Sequence, residues 1–381
     1  MKKRILVTGG AGFIGTNLVR KLLEFEENHV IILDNYSEKI HGSLQNNSNS
    51  LKHKRLKIIK DSLINVDQHK NELCNCDYIV HLAAETGTGQ SMYDIDNYFH
   101  TNITGTNKLL KFIQDNDISL KNFILASSRS VYGEGEYLSI DKKVHKFVKR
   151  DTANLRKGIY EPIDTSGNTL KCLPVTETTP KDPISYYALT KSVQEDLVTY
   201  FCNLSKINYS ILRLQNVYGP GQSLINPYTG VLGVFSNLAR QNKEINVFED
   251  GLMTRDFVFV DDVVKIICIL LDKNNHKQKD KTIFNVGSGK KISILEVAKK
   301  IKIFFNSSSD IKISGNFRIG DIRHNFINFK ELKANLGDMK FVSFDEGLNK
   351  FLNWALETEP LTEIFFKSLE EMKDSNFLID E

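Results

Sequence analysis

The feature that most restricts what this chain can fold into stands at its beginning. Ile5-Leu6-Val7, an apolar run suited to a buried strand, leads directly into Gly9-Gly10-Ala11-Gly12-Phe13-Ile14-Gly15. Glycines at 9, 12 and 15 permit a tight turn and let a pyrophosphate approach the backbone N–H groups at a helix N-terminus. Ile14, Leu18, Val19, Leu22 and Leu23 then recur with the period of about 3.6 that marks a one-sided helix. A second apolar run, Val30-Ile-Ile-Leu33, ends in Asp34, nineteen residues past Gly15. Strand, glycine turn, helix, strand and acid in this order make a unit that cradles a dinucleotide.

A carboxylate at Asp34 can accept both ribose hydroxyls of NAD and would repel a 2′-phosphate, so NAD is favoured over NADP. The expected cofactor contacts are Gly9, Gly12, Phe13, Ile14, Gly15, Asp34 and Asn35, joined by Asp61, Ser62, Leu82, Ala83 and Ala84 beyond the next strands. Asp61 suits the adenine amino group, although alone it would serve equally as a helix cap.

Further along, short apolar runs alternate with amphipathic stretches, as in a parallel sheet wrapped by helices. The expected strands are Ile5–Thr8, Val30–Asp34, Leu56–Lys60, Tyr78–Leu82, Phe123–Ser127 and Tyr209–Leu214, with helices over Ile103–Ile113 and Tyr187–Leu204. The fold class is therefore α/β: a Rossmann-type doubly wound parallel sheet with a smaller mixed α/β C-terminal substrate-binding lobe. The expected division is 1–215 for the NAD-binding domain and 216–370 for the lobe, with the chain able to cross between them. Residues 371–381 read as a polar tail. The Gly/Pro/Asn/Tyr cluster of 218–230 reads as an irregular ligand-side loop, and Ser293-Ile-Leu-Glu296 as the capping box of a later helix. An insertion over 134–182 breaks the alternation. Its middle carries Lys142, Lys143, Lys146, Lys149, Arg150, Arg156 and Lys157 against the single acid Asp151. It is either a solvated surface insertion or a lid or subunit contact.

Composition narrows the classes. Fifty Lys and Arg against 47 Asp and Glu leave a net charge of +3, which gives no reason to expect a nucleic-acid or membrane partner. No apolar run approaches the ~20 residues of a membrane span, and the apolar stretch near the start is too short for a signal-peptide core. Five scattered cysteines, among them Cys74-Asn-Cys76 without a second pair, support neither a disulfide framework nor a metal site. Incidental thiols in a reducing cytoplasm are the expectation.

Tyr187-Ala-Leu-Thr-Lys191 puts Tyr and Lys four residues apart, on one face of a helix. A free phenol has a pKa of ~10, so making it a base near neutrality requires about 4 kcal/mol of phenolate stabilisation. The Lys191 ammonium and the positive nicotinamide would supply it. Ser128, at the end of a strand, would hydrogen-bond the same substrate oxygen.

The glycine turn, Val80-His-Leu-Ala-Ala84, Ser127-Ser-Arg-Ser-Val-Tyr-Gly133, Tyr187…Lys191 and Leu212-Arg-Leu-Gln-Asn216 occur in one order. Together they resemble the extended short-chain dehydrogenase/reductases, the NAD-dependent nucleotide-sugar epimerases and dehydratases. Ala84–Met92, Asn216–Gly230 and the long insertion are most similar to dTDP-L-rhamnose 4-epimerases. The Cys-Pro-x-Cys-Gly stretch of those relatives is replaced here by Glu161-Pro-Ile-Asp-Thr-Ser-Gly167. The resemblance implies Tyr187, Lys191 and Ser128 as catalytic residues and Asn102 beside the nicotinamide. It implies Thr86, Ser128, Arg129, Ser130, Asn216, Arg255, Arg318 and Asp321 as nucleotide-sugar contacts. Of these, Asn216 and Arg255 would hold the diphosphate, and Arg318 and Asp321 the nucleotide half. It also implies a homodimer through the helices near Asn102 and Tyr187. Dehydrating members carry Asp-Glu after the catalytic Ser or Thr, whereas Arg129 and Ser130 stand there in this chain. The expected activity is therefore 4-epimerisation of a dTDP-linked 6-deoxyhexose such as dTDP-L-rhamnose. The alternatives are a nucleotide 4-keto-6-deoxysugar reductase, a UDP-sugar 4-epimerase and, more remotely, a non-catalytic NAD sensor.

Overall fold

Short runs rich in Ile, Val and Leu, flanked by amphipathic segments, form the centre of the molecule. The structure, a computed structural model, describes residues 2–37, 51–224, 230–272, 281–358, 374, 378 and 379. Seven strands make one parallel sheet: β1 (Lys3–Thr8), β2 (Asn28–Asp34), β3 (Leu56–Lys60), β4 (Tyr78–His81), β5 (Asn122–Ser128), β6 (Tyr209–Leu214) and β7 (Lys281–Val286). Each of the six strands expected from the sequence is present within two residues of its expected ends. The spatial order is β3-β2-β1-β4-β5-β6-β7. The winding direction reverses between β1 and β4, which opens a crevice at the carboxyl ends of these strands.

Alternation along each strand feeds two cores. Ile5, Val7, Val30, Ile32 and Val80 face one side, where they meet Leu18, Val19 and Leu22 of α1 (Phe13–Leu23). Leu6, Leu33, Ile79, Phe123 and Leu125 face the other. There they pack on Leu109, Phe112 and Ile113 of α2 (Gly105–Asp115) and Val198 of α3 (Tyr186–Leu204).

The first 215 residues do not complete this body. A helix after α4 (Val231–Arg240), namely α5 (Val260–Leu271), packs Val263, Ile266 and Ile267 into the α1 face, and β7 closes the sheet edge. The chain thus crosses back once. The smaller lobe contains α4, α6 (Ile294–Phe304) and α7 (Phe344–Leu356) around Phe235, Leu238, Phe257, Val297, Ile301 and Phe351. Ser293 accepts from the Glu296 N–H and starts α6, as its sequence pattern indicates.

The insertion folds as a three-stranded antiparallel sheet (Tyr137–Leu138, Val144–His145, Lys171–Cys172) and one helical turn, Thr152–Leu155. Of the seven cations in its middle, six are exposed. Arg150 turns inward, 2.9 Å from Glu134 and 2.6 Å from Glu249 of the lobe. Among the described residues no helix is long and apolar enough to cross a membrane. Part of the 218–230 loop (225–229) and most of the C-terminal tail lie outside the described residues.

Candidate active site

The crevice at the sheet switch point is a cavity of about 390 Å³. At one end the glycine turn shapes its floor. Gly9 has φ +68°, and a Cβ there would lie 2.6 Å from the Ala83 nitrogen. A Cβ on Gly15 would collide with the Gly9 carbonyl. Gly12 caps α1, so the capping residue itself places no side chain over the helix N-terminus. Asp34 ends β2 nearly buried, one oxygen accepting from the Ala11 N–H (2.9 Å) and the other from the Tyr36 N–H (2.8 Å). A carboxylate here is an acceptor at the end of the strand, the chemistry that suits a ribose diol. Asp61 also lines the cavity, but its carboxylate serves local structure. It accepts from the Ser62 N–H and Asn65 and pairs with His69 at 2.8 Å, and the bonds to Asn65 and His69 hold it below the usual carboxylate range.

At the other end stand the residues suited to chemistry. Ser128, the last residue of β5, accepts from the Ser130 N–H (3.2 Å) and the Ser130 hydroxyl (3.0 Å). Tyr187 enters from the first turn of α3, which Ser185 caps by accepting from the Ala188 N–H. Burial pushes the Tyr187 phenol up, while a hydrogen bond with Ser128 and the charge of Arg129 pull it down. Lys191 donates to the Ala126 carbonyl at 2.9 Å, and burial pushes its ammonium down to about 7 against the opposing pull of Glu195. The Lys191 ammonium, expected beside the phenol, is directed at the Ala126 carbonyl, and Arg129 lines the same cavity as Tyr187.

Tyr187, Lys191 and Glu195 share one helix face. Glu195 locks that face in place, accepting from the Ser127 hydroxyl at 2.5 Å and from Arg213 at 2.9 and 2.7 Å. An acid in a helix offers no sequence signal for this role, because its partners lie on β5 and β6.

The expected contacts all line the cavity except Asn102, Arg255, Arg318 and Asp321. Asn102 is fully buried behind the wall, accepting from the Glu85 N–H (2.8 Å) and donating to the Glu85 carbonyl and the Thr190 hydroxyl. Its place is that of a brace between the segment after β4 and α3. Arg255 spends its guanidinium on Asp321 (2.7 Å) and on the carbonyls of Thr254 and Arg323. Arg318 lies over the Phe248 ring, 4.6 Å from its centroid. Asn216 reaches the cavity and accepts from Nε of Arg129 at 3.1 Å. Glu85, Gln222 and Phe257 also line it and were not singled out from the sequence. Glu85 had a local signal, its position just after β4; Phe257 comes from the lobe and had none.

Known proteins share this architecture. The family model described as the NAD dependent epimerase/dehydratase family matches residues 5–151 and 165–287. The dTDP-L-rhamnose 4-epimerase of Burkholderia thailandensis is 36% identical over 361 residues, 93% of this chain and 95% of that protein. A putative UDP-glucose 4-epimerase of Methanocaldococcus jannaschii is 30% identical, over 92% of this chain and 97% of that protein. The crystal structure of UDP-glucuronic acid 4-epimerase from Bacillus cereus, in complex with UDP-glucuronic acid and NAD, superposes with a TM-score of 0.75 at 25% identity. It covers 93% of this chain and 99% of that one. On the glycine turn, the acid at the end of β2 and these matches, the chain belongs to the NAD dependent epimerase/dehydratase family.

Proposed function

We propose that this protein is a nucleotide-sugar 4-epimerase that inverts C4 of a dTDP-linked 6-deoxyhexose such as dTDP-L-rhamnose through a 4-keto sugar. The observation that carries this reading is the meeting of Ser128 and Tyr187 in one cavity, with Arg129 and Ser130 where a dehydratase places its acid pair. Similarity to the Burkholderia dTDP-L-rhamnose 4-epimerase supports the choice of sugar. The side-chain-free cap of α1 and the two accepting oxygens of Asp34 suit the pyrophosphate and ribose of NAD. When bound, NAD supplies the acceptor and later the donor of the hydride at C4.

The chain's own residues handle protons and position. The Tyr187 phenolate takes the C4 hydroxyl proton, and the Ser128 hydroxyl donates to the same oxygen. After the keto sugar has turned over, Tyr187 returns the proton to the new hydroxyl. That turn needs room, and the cavity extends from Tyr187 to Gln222, Leu232 and Phe257. Asn216 faces the substrate beside Arg129, and Thr86 and Ser130 complete that wall. Arg255, the expected diphosphate contact, is paired with Asp321 and lies outside the cavity lining. Residues 1–215 would then supply the cofactor half and 216–370 the sugar-nucleotide half.

A homodimer through α3 belongs to the same reading. Leu189, Tyr200 and Leu204 are exposed on that helix, with Val193 and Leu197 half-buried between them. The spacing makes one apolar stripe. The test of function is incubation with dTDP-, UDP- and GDP-sugars, with products identified by NMR. C4-inverted dTDP-6-deoxyhexose with no net use of NADH is the expected product. Stoichiometric NADH consumption would instead make the protein a reductase.

A further inference from the structure

We propose that the outward face of the insertion is a docking surface for an anionic lipid bilayer, on which exposed lysines meet the headgroups and three exposed apolar side chains enter between them. The net charge of +3 over the whole chain gives no sign of this, because acids elsewhere balance the lysines gathered here. The register of the three-stranded sheet sorts its side chains into two faces. Tyr137 stands opposite His145 and Cys172 and faces inward, packed with Val148, Leu170 and Cys172. Leu138 stands opposite Val144 and Lys171 and faces out, where Val144 is 46% exposed. Ile140, in the turn after Leu138, is 80% exposed, and Phe147, beyond the Val144–His145 strand, is 58% exposed. Phe147 has φ +57° and Lys142 φ +62°. A bulky side chain in that left-handed region is strained, so the fold bears a local cost at a ring it leaves outside. Val148 and Arg150 beyond it turn inward, and Arg150 fixes the element to the lobe through Glu249.

The same stretch carries the charge. Lys142, Lys143, Lys146 and Lys149 are exposed, as is Lys171 on the outward face. Asp141 is the one acid in 139–149, and its carboxylate accepts from the Ser139 hydroxyl within the turn. Glu136 pairs with Lys146 at 3.5 Å, and Asp151 caps the helical turn that follows by accepting from the Ala153 N–H. Lys142, Lys143, Lys149 and Lys171 have no ion pair among the described residues. Lysines of this kind argue against a protein partner, whose interface depletes them, since each long side chain would have to be frozen against a fixed acid. A charged bilayer attracts them without fixed partners. A nucleic-acid backbone would respond to the charge alone and gives nothing for Ile140 and Val144, whereas the boundary between headgroups and acyl chains takes up both.

The full chain is sedimented with vesicles of phosphatidylcholine alone and of phosphatidylcholine mixed equally with phosphatidylglycerol. Binding is expected to the anionic vesicles only, and to weaken as salt is added. Lys142→Glu, Lys143→Glu and Lys149→Glu together should lower partitioning by at least ~100-fold, and each alone by about fivefold or more. Ile140→Ser with Phe147→Ser, which leaves the charge intact, should lower it by about tenfold. Equal binding to the two vesicle types, or none to either, overturns the proposal. So does a loss with the lysine variants and none with the Ile140 and Phe147 variant, which would be the non-specific attraction of a basic loop. Binding to single-stranded DNA or polyglutamate with none to vesicles also overturns it, by assigning the face to a nucleic acid or an acidic protein. If the triple variant does not fold, the single reversals decide, since each of these side chains is exposed. No sugar nucleotide enters the measurement, so presence or absence of the proposed activity leaves its outcome untouched.

Discussion

At Lys191 burial sets the protonation of the side chain. The Lys191 ammonium sits at about 7 in the folded protein, against ~10.4 for a free lysine. Between those values the unfolded chain binds more protons than the folded one, so this group makes stability rise with pH from about 7 to about 10. Below about 7 both states are protonated and its full cost is present. Lys191→Met should therefore raise the urea midpoint at about pH 6 and lose that advantage by about pH 10, while turnover collapses. An equal change at both pH values would show that the lysine is not titrating inside the protein. Tyr187→Phe removes one oxygen and keeps the ring packed on Tyr98. Turnover should fall by at least ~100-fold while calorimetric binding of the sugar nucleotide and stability, within about 1 kcal/mol, persist.

On the scale of elements, α3 is held by its third turn. Glu195 and Arg213, both nearly buried, pair at 2.7 Å, and the arginine also donates from Nη1 to the Tyr132 hydroxyl at 2.8 Å. Removing one partner strands the other charge in a low-dielectric interior. Glu195→Ala should cost about 3–5 kcal/mol in a denaturation experiment and slow turnover, because the face carrying Tyr187 and Lys191 loses its anchor. A loss below about 1 kcal/mol would mean that water enters and solvates Arg213. The helix was legible in the sequence from the period of Leu189, Val193, Leu197, Val198 and Phe201. The anchor was not, because an acid at this spacing reads equally well as a solvated residue.

Over the whole molecule, a charge network joins the insertion to the lobe. Arg323, 1% exposed, meets Asp250 through both terminal nitrogens at 2.7 Å, Glu249 at 3.0 Å and Glu161 at 2.7 Å. Arg150 adds Glu134 and Glu249 and donates at 2.7 Å to the backbone carbonyl of Asp321, whose carboxylate pairs with Arg255. Docking of the insertion is thereby tied to the smaller lobe. Arg150→Met leaves two buried carboxylates short of a partner. It should destabilise the protein by about 3–5 kcal/mol and speed proteolysis within 134–182, read by limited digestion. Unchanged cleavage would show that the three-stranded sheet holds without this contact. In the sequence Arg150 could not be told from the six exposed cations around it, since a basic run has no period that marks which member turns inward.

The amino-acid sequence by itself determined the six leading strands, the helices that cover them, the glycine turn with Asp34, and the Tyr187–Lys191 spacing. Those depend on backbone sterics and on apolar periodicity, which act over a few residues. The tertiary structure alone decided that β7 and α5 return to the first sheet, that Asn102 braces the wall from behind, and that Arg255 is held by Asp321. Each of these is a matter of which charges and apolar faces meet across long stretches of chain, and burial, which sets their strength, exists only once the layers have closed.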